Sequence, residues 1–236
     1  DQQRFDTLGC YGNDFVTTPN IDRLAANGVL FETAVCQSTV CTPSRASFLT
    51  GRYPRTTRCR QNGQSIPADE VLVTKLLADD GYTGGLAGKL HISACHPSAS
   101  PVRERRIPDG YTQFDWSHTP LPSAIKSTDA EPSTSSYQDG YAEFNWSHDT
   151  GQVWPTNDYM LWLLERRERY QRTPFQGSKH VQTSVSAELH QTTWCAEKAI
   201  HFIRANAAFD RPWFFSVNPF DPHHPFDPPA EYLQPY

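Results

Sequence analysis

Residues 41–52 read CTPSRASFLTGR and set a thiol, Cys41, four residues before an arginine, Arg45. Pro43 suits the first turn of a helix, because its φ is already helical and its missing N–H is not needed there. Ala46, Phe48 and Leu49 can continue that helix, and Gly51 can end it in the left-handed conformation. Cys41 is therefore expected near a helix N-terminus, where backbone N–H groups and the helix dipole attract anions. Arg45, one turn in, offers a bidentate fork to a tetrahedral oxyanion. The chemistry is that of an anion site with a reactive group at its mouth, and the reaction is still open. An ordinary thiol hydrolase lacks support: no Cys-His-Asn arrangement is legible, and the thiol would face anions.

The elements that must position this site alternate between helix and strand. In TPNIDRLAANG (18–28), Thr18 is placed as N-cap, Pro19 at the first helical position and Gly28 as the stop, with Ile21, Leu24 and Ala25 as the apolar stripe. VLFETAV (29–35) is β-branched and aromatic enough to predict a strand. Residues 71–78 fit a helix closed by Gly81, and YTGGLAGK (82–89) reads as a strand. The longest helical pattern is 186–206, with Leu189, Ala196, Ala199, Ile200 and Ile203 on one side. PWFFSVN (212–218) is a continuously apolar run of the kind buried in a central sheet. Such alternation predicts an α/β layered domain.

Composition sets the outer limits. A chain of 236 residues with 37% hydrophobic and 12% aromatic content can bury a substantial core. The net charge of −5, with no basic run, argues against a nucleic-acid track. No apolar stretch approaches a membrane span. The six cysteines show no CxxC pair, so they fit neither a zinc site nor a disulfide-stapled scaffold; Cys10, Cys36, Cys59, Cys95 and Cys195 read as small buried or half-buried side chains. Between about 95 and 180 the pattern loosens into Pro, Ser, Asp and aromatic residues. Within it DGYTQFDWSH (109–118) and DGYAEFNWSH (139–148) match at seven of ten positions. Two copies are too few for a solenoid, which leaves a local duplication or two similar loops over a pocket. The aromatic run from Trp154 to Trp162 reads as packing.

CTPSRASFLTGR satisfies the pattern C-x-P-S-R-x-x-x-L-T-G-R at all eight specified positions. It resembles the maturation and active-site motif of the type I sulfatases, within the alkaline-phosphatase-like superfamily. The opening DQQRFDTLGCYGN resembles that family's first metal-binding segment, GLAGKLHIS (85–93) its Lys-x-His segment, and NPFDPHHPFDPP (218–229) its later Asp-Pro-His stretch. The resemblance implies a layered sandwich with a mixed, mostly parallel central sheet flanked by helices. It also implies that a separate formylglycine-generating maturation enzyme oxidises Cys41 to Cα-formylglycine. The aldehyde hydrate carries two hydroxyls on one carbon: one attacks sulfur, and the other re-forms the carbonyl and expels sulfate, which splits one hard step into two easier ones. On this reading the thiol is a precursor.

Site roles follow from the same resemblance. Asp1 and Gln2 match the metal-binding start, and the group made from Cys41 completes the shell of a hard divalent cation, typically calcium. Arg45 steadies the hydrate, Lys89 binds a sulfate oxygen, and His91 hydrogen-bonds the hydrate. His223 is the expected acid for the leaving alkoxide, with His224 as its weaker neighbour. A serine in a Ser-His pair has a sulfate-binding role, which Ser117 or Ser147 fits. The implied substrate is a sulfated small molecule or carbohydrate.

Two departures qualify the match. Most members carry two adjacent acids where this chain has Asp1-Gln2, and the subset with Asp-Gln includes phosphonate monoester hydrolases. Members are also longer, and the part not matched carries further metal ligands and another lysine. The expectation is an N-terminal portion of one catalytic domain over 1–236, with the 95–180 excursion facing substrate. The leading activity is sulfate ester hydrolysis. The alternatives are a phosphonate or phosphate ester hydrolase of the same superfamily and a non-catalytic binding module. Compartment is open, with a periplasmic or secreted setting favoured over the cytoplasm.

Overall fold

The computed structural model describes residues 2–67, 69–92 and 158–234, together with the backbone of 111–116. Helix α1 (Pro19–Ala26) starts on its proline as expected, and the Thr18 hydroxyl accepts from the Gly9 N–H at 2.8 Å. Helix α2 (Cys41–Thr50) ends at Gly51, whose φ of 67° is left-handed and whose N–H reaches the Ser47 carbonyl at 2.9 Å. Short helices α3 (Pro54–Thr57) and α4 (Val73–Asp79) follow. Strand β1 (Thr83–Gly88) then enters the sheet, followed by β2 (Tyr111–Trp116), α5 (Asp158–Glu165), the two-residue strands β3 (Thr173–Pro174) and β4 (Gln182–Thr183), α6 (Gln191–Asn206) and β5 (Trp213–Asn218).

Strands β2, β1 and β5 lie side by side in that order, all parallel, with β1 between its two neighbours. β3 and β4 form a separate antiparallel pair. Successive strand residues point to opposite faces, and the core divides accordingly. Leu86 and Phe214 join Ala46, Leu49, Leu72 and Ile92 on one face. Ala87 and Phe215 join Tyr159, Leu163, Trp194 and Cys195 on the other. The sheet is thus covered by α2 and α4 on one side and by α5 and α6 on the other, which is the predicted α/β sandwich.

Three expectations change. Residues 29–35 form no strand: Val29 and Val35 are 80% and 79% exposed, and no neighbouring strand among the described residues pairs with them, so β-propensity has nothing to act on. The long helix begins at Gln191, after a 3₁₀ turn at Ala187–Leu189. It buries Trp194, Cys195, Ala199 and Phe202, while Ile200, Ile203 and Ala196 are exposed. The larger aromatic faces win the sheet because they remove more apolar area from water. Finally, β5 borders the described sheet and leaves Val217 46% exposed. The Trp154–Trp162 run does pack where it is described, with Tyr159 and Trp162 buried against Trp194. Cys59 and Cys195 are fully buried, whereas Cys36 is exposed and Cys95 lies outside the described residues. No helix among the described residues is long and apolar enough to cross a membrane.

Candidate active site

Three segments meet at the start of α2: the helix itself, the chain leaving β1 and the chain leaving β5. Cys41 is the first residue of α2 and is 6% exposed. One of the N–H groups that the helix start leaves over is taken up locally, since Thr42 N–H donates to Asn62 Oδ1 at 2.9 Å. Asn62 is itself buried, so the helix start is fixed from outside the helix.

The exit of β1 depends on close backbone approach. Gly88 has φ of +109°, and a Cβ there would lie 1.9 Å from the Asn218 carbonyl oxygen. Without that atom the strands close up: Lys89 N–H donates to the Asn218 carbonyl at 3.0 Å, and Asn218 Nδ2 donates back to the Lys89 carbonyl at 2.9 Å. Arg45 Nη1 donates to the same Lys89 carbonyl at 2.7 Å. One guanidinium arm thus ties α2 to the end of β1, a use that the fork expected of Arg45 did not include. The result places the Lys89 ammonium, fully buried, 3.6 Å from Cys41 Sγ and 5.2 Å from the centre of the Phe220 ring. A buried cation with a soft sulfur and a π-face around it is an environment that favours an anion.

Two histidines complete the cluster. His91, 2% exposed with φ of 53°, is held far below the usual imidazole range by burial first, then by the Lys89 and Arg45 charges. His223 is fully buried, and burial followed by the Lys89 charge pushes it down to about 2. Its Nδ1 lies 2.5 Å from the His224 carbonyl oxygen. A carbonyl only accepts, so Nδ1 carries the proton and Nε2 the lone pair. His224 itself is exposed, with its ring stacked on His223 at 4.4 Å. Arg45 and Lys89 therefore carry the site's positive charge while both buried imidazoles stay neutral.

Cys41 and Arg45 open onto a cleft of about 880 Å³ that Gln2, Arg4, Thr39 and Phe48 also line. The structure thus assembles Cys41, Arg45, Lys89, His91, His223 and His224, with Gln2 on the same cleft. Asp1, Ser117 and Ser147 lie outside the described residues. Among the described residues no cluster of three or more His, Cys, Asp or Glu side chains could hold a metal ion. Calcium takes six to eight oxygens, so Gln2 and position 41 alone do not fit such an ion. Asn62, Asn218 and Phe220 were missed by sequence reasoning; an asparagine beside a turn carries no signal of a long-range bond.

Comparison with known proteins adds an independent line. The family model described as Sulfatase matches residues 1–236. The steryl-sulfatase of Rattus norvegicus is 40% identical over 118 residues, covering 45% of this chain and 20% of its own length. An ulvan-active sulfatase of Formosa agariphila is 41% identical over 106 residues, covering 45% and 21%. Among solved structures, the phosphonate monoester hydrolase of Agrobacterium radiobacter superposes with a TM-score of 0.64 at 25% identity, covering 100% of this chain and 42% of its own. The segment matched thus spans about a fifth of the length of these curated relatives.

Proposed function

Because this chain belongs to the Sulfatase family, we propose that it carries the nucleophile half of a sulfatase active site. Its reaction is hydrolysis of a sulfate ester to sulfate and an alcohol, with Cα-formylglycine matured from Cys41 by a formylglycine-generating enzyme. The observation that carries this reading is the buried Lys89 ammonium 3.6 Å from Cys41 Sγ, at the head of a helix that opens the complete eight-position motif. An oxygen nucleophile at that carbon has a cation beside it and a cleft in front of it.

The hydrated aldehyde supplies one hydroxyl to attack sulfur and a second to release it. A divalent cation, calcium by this reading, would draw on Asp1, Gln2 and position 41 and would neutralise charge on the sulfuryl group. Lys89 binds a sulfate oxygen. Arg45 fixes the Lys89 backbone and holds α2 against it. His91, neutral, accepts or donates one hydrogen bond at the hydrate without adding charge. His223 rests as a neutral base because burial, and after it the Lys89 charge, oppose its protonation. An arriving ester brings negative charge against Lys89, so Nε2 gains basicity as substrate binds, takes the proton that the attacking hydroxyl gives up and delivers it to the leaving oxygen. Ser117 or Ser147 is assigned a further sulfate oxygen, and the 95–180 excursion is assigned to the substrate side.

A sulfated carbohydrate or small molecule is the proposed substrate, and the similarity to the ulvan-active sulfatase supports the carbohydrate. A periplasmic or secreted setting goes with it. The full-length superposition on a phosphonate monoester hydrolase, together with Gln2 at the metal-binding start, supports a second reading in which the same groups act on a phosphonate ester. The test is peptide mass spectrometry of the segment containing Cys41, from the complete gene product co-expressed with a formylglycine-generating enzyme, followed by turnover of matched aryl sulfate and aryl phosphonate. An aldehyde at 41 with sulfate turnover is expected. Faster phosphonate turnover selects the second reading, and an unmodified thiol beside a converted control sulfatase overturns both.

A further inference from the structure

We infer that Asn218 is a positioning residue for Lys89, and that Ser216 in turn anchors its amide. The inference rests on the sulfate-ester reading only for why Lys89 matters; the clamp itself is a matter of geometry. Asn218 grips residue 89 on both sides of its Cα: its carbonyl accepts from Lys89 N–H at 3.0 Å and its Nδ2 donates to the Lys89 carbonyl at 2.9 Å. The Lys89 carbonyl, which only accepts, decides which end of the amide is nitrogen, and the Ser216 hydroxyl donates at 2.8 Å to the Oδ1 at the other end. A reversed amide would set two oxygens against each other at Lys89.

The Lys89 carbonyl thus receives Asn218 on one lone pair and Arg45 on the other, at 2.9 and 2.7 Å. With its N–H also engaged, the lysine backbone has little freedom to turn. The ammonium is then carried back to Cys41 past Phe220, two residues after Asn218 on the same exit from β5. Phe220 is fixed by its N–H to Gln191 Oε1 at 3.0 Å and packs its ring 4.5 Å from His223. Asn218 therefore registers two reactive groups at once: Lys89 through its side chain, and His223 through the six-residue segment it begins. Placement errors of about 1 Å at reacting groups cost about a hundredfold, and a neutral clamp of this kind accounts for about tenfold of that.

The experiment compares wild type, Asn218→Ala, Lys89→Ala, the double variant and Ser216→Ala in the complete gene product. In the matured protein, the readouts are aryl sulfate kcat/KM and the dissociation constant for inorganic sulfate. In the unmatured protein, the readout is the rate at which ortho-phthalaldehyde bridges the Cys41 thiol and the Lys89 amine, mapped by peptide mass spectrometry. Asn218→Ala is expected to weaken all three about tenfold, and Ser216→Ala about threefold. In the Lys89→Ala background, Asn218→Ala changes sulfate affinity less than twofold. An undiminished loss in that background makes Asn218 merely structural and overturns the inference. Bridging at the wild-type rate in both Asn218→Ala and Ser216→Ala overturns it too, as does a wild type that forms no 41–89 bridge. Expected bridging without sulfate binding or turnover upholds the clamp and sinks the functional reading instead.

Discussion

Adding one methyl group at Gly88 should disable the site, and the structure gives the size of the effect. An alanine Cβ would sit 1.9 Å from the Asn218 carbonyl oxygen, against about 3.3–3.6 Å for an ordinary carbon–oxygen contact. The obstacle is backbone, which no side-chain rotation removes. β1 and β5 must part by roughly 1.5 Å, which breaks the two hydrogen bonds between Lys89 and Asn218. Alanine at φ of +109° costs about 1–3 kcal/mol, overpacking a similar amount, and each lost bond about 0.5–1.5 kcal/mol. Because parting the strands relieves the clash by the same motion that loses the bonds, these do not sum; about 3–5 kcal/mol is the expectation. That is about a fifth or more of the roughly 5–15 kcal/mol that holds a domain folded.

Gly81→Ala is the matched control. Gly81 has φ of +89°, with nothing within 4 Å of a Cβ built there. It carries the conformational cost alone, about 1–2 kcal/mol. Urea melts of wild type, Gly81→Ala and Gly88→Ala separate the two contributions. At urea concentrations where Gly88→Ala is still folded, its sulfate ester turnover should fall about a hundredfold, because Lys89 moves by more than 1 Å. A Gly88→Ala protein no less stable than Gly81→Ala refutes the close-approach argument.

His223→Gln should lower kcat about 10²- to 10⁴-fold and should restore part of that rate on aryl esters whose leaving group needs no proton; a uniform loss across leaving groups excludes the acid role. Stability should fall with acid. His223 binds its proton only near pH 2 when folded but near 6.5 when unfolded, so its contribution is complete above about pH 6.5 and is lost as pH falls below that, by up to about 1.4 kcal/mol per pH unit. His91 and His190 act in the same direction, while Asp221 and Asp227, both raised by burial, act against it. Urea midpoints at pH 7 and pH 5 should therefore differ less in His223→Gln than in wild type, and an unchanged difference contradicts the burial of a neutral His223.

The parts of this fold that were legible in the sequence are those whose signals are local. α1 and α2 announce themselves through Pro19, Pro43 and Gly51, and the structure puts each at the helix end its backbone suits. β1 and β5 were legible as apolar runs between turn residues. What local reading could not supply is which face wins and which strand finds a neighbour. Ile200 and Ile203 look as buried as Trp194 and Phe202 until the sheet is there to choose between them. Val29–Val35 looks like a strand until its partner is sought.

The site divides along the same line. The chemistry at Cys41 was legible as an anion site from eight positions within twelve residues, but its meaning depends on Lys89, which is 48 residues away in sequence and 3.6 Å away in space. Asn218, 129 residues from the carbonyl it holds, left no trace at all. Its type is common in loops and its bond is made only after β1 and β5 pair. Gly88 shows why the two kinds of information meet here: a glycine in a strand reads as a weakness, yet it is the vacancy at Cβ that lets Asn218 reach the Lys89 backbone and lets the lysine reach Cys41. The residue that weakens the strand by propensity is the one that makes the site geometrically possible.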